Sequence, residues 1–424
     1  MFKNHPLGLR VLFFTEMWER FGFYIMMAVF VLYMDSEFGW ADRRKADFYG
    51  LFLGAVYFLP ILGGWLGDRV LGHRNTIRVG AVLMVLGYIA LAASSADRLP
   101  AFYAGLILVS TGTGIFKSNM SVTVGALYES TPAIKDAGFN IYYMGVNLGA
   151  AIAPLVATVI HNVYGSYQLS FGAAAAGMVV AIGVFEWGKR LLPATDQRTI
   201  ATNSAGIPPN AMKKTEERQR LTTLGILFLI VILFWVAFYQ NGFALTLFAQ
   251  RATVVSDILK PETYQFFNPF FILVLTPVIV SLFGRLRAQG KEPPSAVKIF
   301  LGMFVSGFCM LVMVFASLAG GNQDNNSMSP LWLVGSYLVI TLAEVLVSPM
   351  GQSYVTKVAP PRMRGLMIGF WFGATAVGGY GSGYLGRFYD VFPHHLYYLL
   401  IATLLFVTSL LALLFLKKLN KFAP

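Results

Sequence analysis

Charge is scarce in this chain. Of its 424 residues only 12% are Asp, Glu, Lys or Arg and 56% are apolar, against about 25% and ~45–50% for a soluble protein. A soluble fold is excluded. Cysteine is nearly absent: Cys309 is the single one, so no disulfide forms within the chain and cysteine usage is silent on redox compartment. Histidine is almost as rare. His5, His73, His161, His394 and His395 fall at the ends of apolar runs or in loops, none with a second ligand at metal spacing, so no metal site is expected. Convincing strands are missing too. Gly112-Thr113-Gly114 lies inside an apolar run, where close helix packing is the expected role rather than phosphate binding. No cofactor is expected. A cleavable leader is also not read at the N-terminus, because Glu16, Glu19 and Arg20 interrupt the first apolar stretch and no small-residue cleavage site follows.

What is present is apolar residues gathered in long runs, the pattern that lipid-exposed helices need at roughly 20 residues each. Reading runs against charged punctuation predicts spans at 10–34, 46–69, 75–94, 100–127, 137–162 and 166–189. A second set is expected at 221–249, 262–284, 296–319, 330–355, 363–387 and 395–416. Between the sets lies a polar stretch, Leu192 to Gln219, with Pro193, Pro208, Pro209, Lys213, Lys214, Glu216, Glu217 and Arg218. The expected organisation is therefore a six-helix bundle over 1–191, a linker over 192–219 and a second bundle over 220–424, the layout of a doubled six-helix unit.

The net charge of +12 is mostly topology. Lys and Arg concentrate in the loops on the side that holds both termini and the linker, which places that side in the cytoplasm. Nucleic-acid binding would need those residues on one compact face, so no nucleic-acid partner is expected.

Ionisable residues far from any loop carry the functional signal: Glu16, Glu19 and Arg20 in span 1, Lys117 in span 4 and Glu344 in span 10. Each costs about 2.5–3.5 kcal/mol at a lipid-facing helix centre, so they must face one another or water. Glu16 and Arg20 are i and i+4 and share a face that Tyr24 continues, while Glu19 lies about 100° from Arg20 around the helix axis. A purely structural role as buried salt bridges is the bland alternative, but buried pairs are often no more stabilising than apolar substitutes. Three carboxylates against two cations leave one acid free to hold a proton. Burial favours the neutral acid and a nearby cation the carboxylate, so moving Lys117 toward or away from Glu16 or Glu19 would switch proton affinity.

Other polar groups punctuate the spans: Tyr57 before Pro60, Tyr143 and Asn147 at i and i+4, Gln240 and Asn241, Asn268 before Pro269, Ser348 one turn after Glu344, and Trp371. Taken singly, each suits interhelical hydrogen bonding. Together with the prolines and glycines that open helix ladders, they suit a solute pathway between helices that rock or bend. A channel is disfavoured, since no ring of like charges and no filter-like run appears.

The stretch from Gly64 to Arg74, GWLGDRVLGHR, resembles the loop between helices 2 and 3 of the major facilitator superfamily. The resemblance implies that Asp68 caps a helix end and, with Arg69 beside it, takes part in gating through pairs with basic residues. Glu16-Met17-Trp18-Glu19-Arg20-Phe21 resembles the ExxER motif of the proton-dependent oligopeptide transporters. It is joined in order by Gly112 to Asn119, by Phe139 with Tyr143 to Gly149, and by Glu344 to Pro349.

On those matched positions the resemblance implies an all-α, twelve-helix major facilitator fold importing di- and tripeptides with protons by alternating access. Glu16, Glu19, Arg20 and Lys117 would form the proton-linked cluster, with Arg20, Lys117 and Tyr57 receiving the peptide carboxylate. Glu344, Asn147 and Asn268 would hold the amino end, and Tyr24, Tyr143, Ser348 and Trp371 would line side-chain pockets. The implied setting is the inner membrane, with both termini cytoplasmic, peptides, protons and lipid as partners, and a monomer as the working form.

Three positions depart from the family's habit. Phe23 stands where a second tyrosine is usual, and the common ion pair of a basic residue and an acid is replaced by Met27 and Tyr239. Extracellular gating or proton stoichiometry is expected to differ accordingly. The linker is also too short for the two extra helices of many bacterial relatives. Alternatives are another solute (a drug, nitrate or a modified amino acid) on the same scaffold, or a peptide sensor that no longer cycles. A membrane enzyme would need a catalytic constellation, and none is evident.

Overall fold

The computed structural model describes residues 2–131, 134–193, 214–360 and 363–422. Among them the chain is helical, with one isolated bridge between Thr253 and Met328 in place of a sheet. A backbone in hydrocarbon has no water to bond to, and helices satisfy it internally. Among the described residues eleven helical stretches are long and apolar enough to cross a membrane. Arg364–Gly386 is of similar length, and its many glycines make it less apolar.

In chain order the helices are α1 (Gly8–Phe38), α2 (Asp42–Phe58), α3 (Pro60–Leu66), α4 (His73–Ala92), α5 (Leu99–Ala126), α6 (Lys135–Tyr164) and α7 (Gln168–Gly188). Then follow α8 (Lys214–Phe238), α9 (Ala244–Arg251), α10 (Phe267–Ala288), α11 (Ser295–Ala319), α12 (Pro330–Val358), α13 (Arg364–Gly386) and α14 (His394–Asn420). Two expected spans are interrupted. The one at 46–69 breaks at Leu59, where Pro60 takes the first position of α3, and ends in a π-helical turn over Gly67–Leu71. The one at 221–249 tightens into a 3-10 turn over Tyr239–Gly242 between α8 and α9. Most of the expected linker lies outside the described residues, and its last stretch is helical, because α8 already begins at Lys214.

The chain forms two compact units. The first comprises Met1–Trp40 and Ala55–Pro208, the second Ala41–Gly54 and Pro209–Pro424. In the first, α1 packs on α6 and α7, α4 on α5 and α7, and α3 on α5. Small residues allow these approaches. A Cβ on Gly149 would lie 2.1 Å from the Met17 carbonyl oxygen, and one on Gly112 would lie 2.6 Å from that of Gly80. The close-packing role expected for Gly112 is therefore the observed one. In the second unit α11 packs on α12 and α14, α8 on α13, and α10 on α12.

Candidate functional site

In the first unit, α1 carries Glu16, Glu19 and Arg20 inward, with exposures of 2%, 0% and 4%. Arg20 Nη2 donates to Glu19 Oε1 at 2.7 Å, and its Nε donates to Glu19 Oε2. The i,i+4 partner Glu16 is held more loosely, 3.3 Å from Arg20 Nε. Sequence spacing favoured Glu16; the long guanidinium instead folds back onto its neighbour, where two parallel bonds are available. Its other face lies 5.2 Å from the Phe23 ring centroid. Glu16 Oε2 is buried without a hydrogen-bond partner. A carboxylate oxygen held out of water without a donor is costly, and that cost is carried inside α1.

Lys117 reaches toward the same cluster from α5 and lies within electrostatic reach of Glu16, Glu19 and Arg20. Its Nζ sits 4.9 Å from the centroid of the Tyr57 ring. A half-buried Tyr24 on α1 lies within electrostatic reach of Arg20. Tyr142 on α6 and Tyr88 on α4 were not anticipated. Both are buried phenols within electrostatic reach of the carboxylates, Tyr142 of Glu16 and Tyr88 of Glu19. They sit in apolar runs where a tyrosine reads as ordinary packing.

Asn147 and Tyr143 meet through backbone: the Asn147 amide donates to the Tyr143 carbonyl at 2.9 Å, leaving the phenol 50% exposed. Asp68 does not cap a helix. It lies in the π-helical turn, half-exposed, and faces His73, with Oδ1 3.5 Å from Nε2. Arg69 forms no ion pair among the described residues.

In the second unit, Asn268 on α10 donates from Nδ2 to Glu344 Oε2 at 2.8 Å and to Thr341 Oγ1 at 3.1 Å. Glu344 and Thr341 are one turn apart on α12, so the amide bridges a carboxylate and a hydroxyl. Thr341 was not singled out because a threonine in an apolar helix ordinarily bonds its own backbone, which it also does here, to Tyr337 at 2.6 Å. Ser348 is half-buried one turn beyond Glu344. Trp371 is 1% exposed and packs on α12, where a Cβ on Gly351 would lie 2.0 Å from its ring. In this structure it is a core residue.

The positions that depart from family habit are apolar or aromatic packing: Met27 and Tyr239 are both buried, and Tyr239 stacks on Trp235 at 5.7 Å. Ionic contacts appear elsewhere in the second unit. Arg251 donates to both oxygens of buried Asp42, at 2.7 and 2.9 Å, and to Asp390 at 3.0 Å, while Lys45 holds Asp42 at 2.6 Å. Burial and the neighbouring Asp42 push the Asp390 carboxyl up to about 6. Arg387 pairs with Asp47 nearby.

A sequence model described as the POT family matches residues 74–212 and 194–401. The chain belongs to the POT family. A di-/tripeptide transporter of Lactococcus lactis subsp. cremoris is 31% identical, with 88% of this chain and 87% of that protein aligned. A peptide transporter of Yersinia enterocolitica is 30% identical over 91% of this chain and 88% of its own. A crystallised peptide transporter, POT, in complex with sulfate superposes with a TM-score of 0.88 at 29% identity, covering 100% of this chain and 97% of that one. The all-helical membrane fold of POT proteins is thus that of this chain.

Proposed function

We propose that this POT protein is a transporter that imports di- and tripeptides together with protons by alternating access. The observation that carries the reading is the buried Glu16–Glu19–Arg20 cluster, with Tyr142 beside Glu16 and with Lys117 resting on Tyr57 rather than on a carboxylate. Arg20 and Lys117 are the cations for a peptide's carboxylate. Glu344, held by Asn268, is the acid for its amino group. When the peptide carboxylate takes Arg20 and Lys117, Glu16 and Glu19 lose cationic partners, and binding draws a proton onto the cluster.

Uphill uptake is then affordable: a membrane potential of 100 mV contributes ~2.3 kcal/mol per net charge moved inward, and the pH gradient adds to it. The Lys and Arg asymmetry supports a multi-pass orientation in the cell's inner membrane with both termini cytoplasmic. The three-part organisation over 1–191, 192–219 and 220–424 and a monomeric working unit belong to the same proposal. Neither a cofactor nor catalysis is part of it.

The test is uptake of labelled dialanine into liposomes containing the purified protein, with an inward proton gradient and with the gradient collapsed. Accumulation that vanishes with the gradient supports proton-coupled import. Dialanine that raises the melting temperature without moving points to a sensor. Neither effect means that the solute is of another class.

A further inference from the structure

The turn that carries Asp68 is tied to the helix that carries Lys117 through one imidazole. Asn119, two residues beyond Lys117 on α5, is fully buried, and its Nδ2 donates to the carbonyls of Gly63 and Ile115, each at 2.8 Å. Those two acceptors fix which way the amide points, so Oδ1 is the atom that faces His73 Nδ1 at 2.7 Å. His73 Nδ1 therefore carries the hydrogen. In the neutral ring Nε2 is then a bare lone pair, buried without a hydrogen-bond partner and 3.5 Å from Asp68 Oδ1. A lone pair against a carboxylate is repulsive. With a proton on Nε2 the same contact is an ion pair.

The local backbone is built around this contact. A Cβ on Gly67 would lie 1.8 Å from Asn119 Oδ1, so only glycine lets the amide reach the ring. Gly72 has φ 74° and ψ 154°, a conformation open to glycine, and its carbonyl accepts from Thr76 Oγ1 at 2.8 Å. This sets His73 as the first residue of α4, 1% exposed. The other charged groups on the elements that meet here are Arg69 on the turn, Arg74 on α4, which donates to the Leu192 carbonyl, Lys117 on α5, and the Arg78–Glu186–Lys189 group joining α4 to α7. Arg78 and Lys189 neutralise Glu186, which leaves Asp68 as the carboxylate that answers the imidazole.

We propose that His73 is a positioning residue of the transport cycle: its Nδ1–H holds Asn119 and with it α5, and a proton on its Nε2 draws the Asp68 turn against α4. The gating turn and the Lys117 helix thereby respond together to protons. In linking this to transport the inference rests on the function proposed above.

Hydrogen–deuterium exchange of residues 64–72 is followed in the full-length protein from pH 5.5 to 8, corrected for the chemical effect of pH on exchange. Exchange in the wild type should rise by roughly two- to fivefold across that range, the scale of a half-exposed ion pair. His73→Asn keeps an amide N–H where Nδ1 stands and has nothing at Nε2, so its exchange should not depend on pH. Asp68→Asn, which leaves the buried ring in place, should also flatten the profile and serves if the first variant does not fold. A flat wild-type profile, or the same rise in either variant, overturns the proposal. In liposomes the same substitutions should remove a pH dependence from the maximal rate of dialanine uptake and leave its KM unchanged. Wild-type protein that moves no dialanine would defeat the transport reading, while the exchange data would still decide the role of His73.

Discussion

Lys117 Nζ lies 4.9 Å from the centroid of the Tyr57 ring and closes no ion pair with Glu16 or Glu19 among the described residues. The two carboxylates are instead served by Arg20. The cluster thus holds one cation paired with carboxylates and a second that rests on an aromatic ring, and the proposed function assigns the second to a substrate's carboxylate.

Lys117→Ala should abolish gradient-driven accumulation of dialanine. Tyr57→Phe keeps the ring under the ammonium and should be mild, whereas Tyr57→Ala removes a contact worth about 0.5–2 kcal/mol and should raise KM by roughly 2- to 30-fold. Gradient-driven accumulation that persists in Lys117→Ala would show that coupling lies elsewhere.

Glu344→Gln should weaken binding of peptides with a free amino group more than binding of N-blocked ones. The Asn268 amide can still donate to the new carboxamide oxygen, so the local packing is retained while the charge is lost. Equal loss for both classes of peptide would contradict the assigned role, and competition against labelled dialanine measures it.

Arg251→Gln should lower stability by up to about 3 kcal/mol, because it takes a bidentate partner from buried Asp42 and leaves Lys45 alone to compensate. Thermal unfolding reads this directly. An unchanged melting temperature would mean that the Asp42 contact is energetically idle.

How much of this was legible follows from what water and lipid punish. Glu16, Glu19, Arg20, Lys117 and Glu344 stood out because each interrupts a run that lipid would otherwise cover, and the structure gathers the first four within electrostatic reach of one another. Spacing could not say that Arg20 prefers Glu19 to Glu16, since that is decided by a side-chain rotamer and not by helix period. Asp42 and Arg251 read as loop charges because they lie at helix ends, yet Asp42 is buried. His73 was passed over as a histidine without a metal partner; its significance comes from Asn119, which is 46 residues away in sequence. Trp371 stood out as a large aromatic among polar groups, and its burial against Gly351 on α12 could not be read from spacing.

Glu292, in the loop between α10 and α11, offers a pH dependence outside the spans. Hydrogen bonds from Arg287 and Lys298 hold its carboxyl down at about 2, below the ordinary 4.5. A depressed carboxylate stabilises the folded state above the unfolded value, and that contribution fades as pH falls from about 4.5 to about 2. Glu292→Gln should therefore be less stable than the wild type at neutral pH, with the gap closing across that acid range. A gap independent of pH would place the effect in packing.

The claim at the centre of the account is that peptide and proton share one cluster, and calorimetry of dialanine binding at pH 7 in two buffers of different ionisation enthalpy tests it most directly. The wild type should take up protons as it binds, and Glu16→Gln should bind with a heat that no longer depends on the buffer. Dialanine that binds the wild type with no proton uptake would contradict the account.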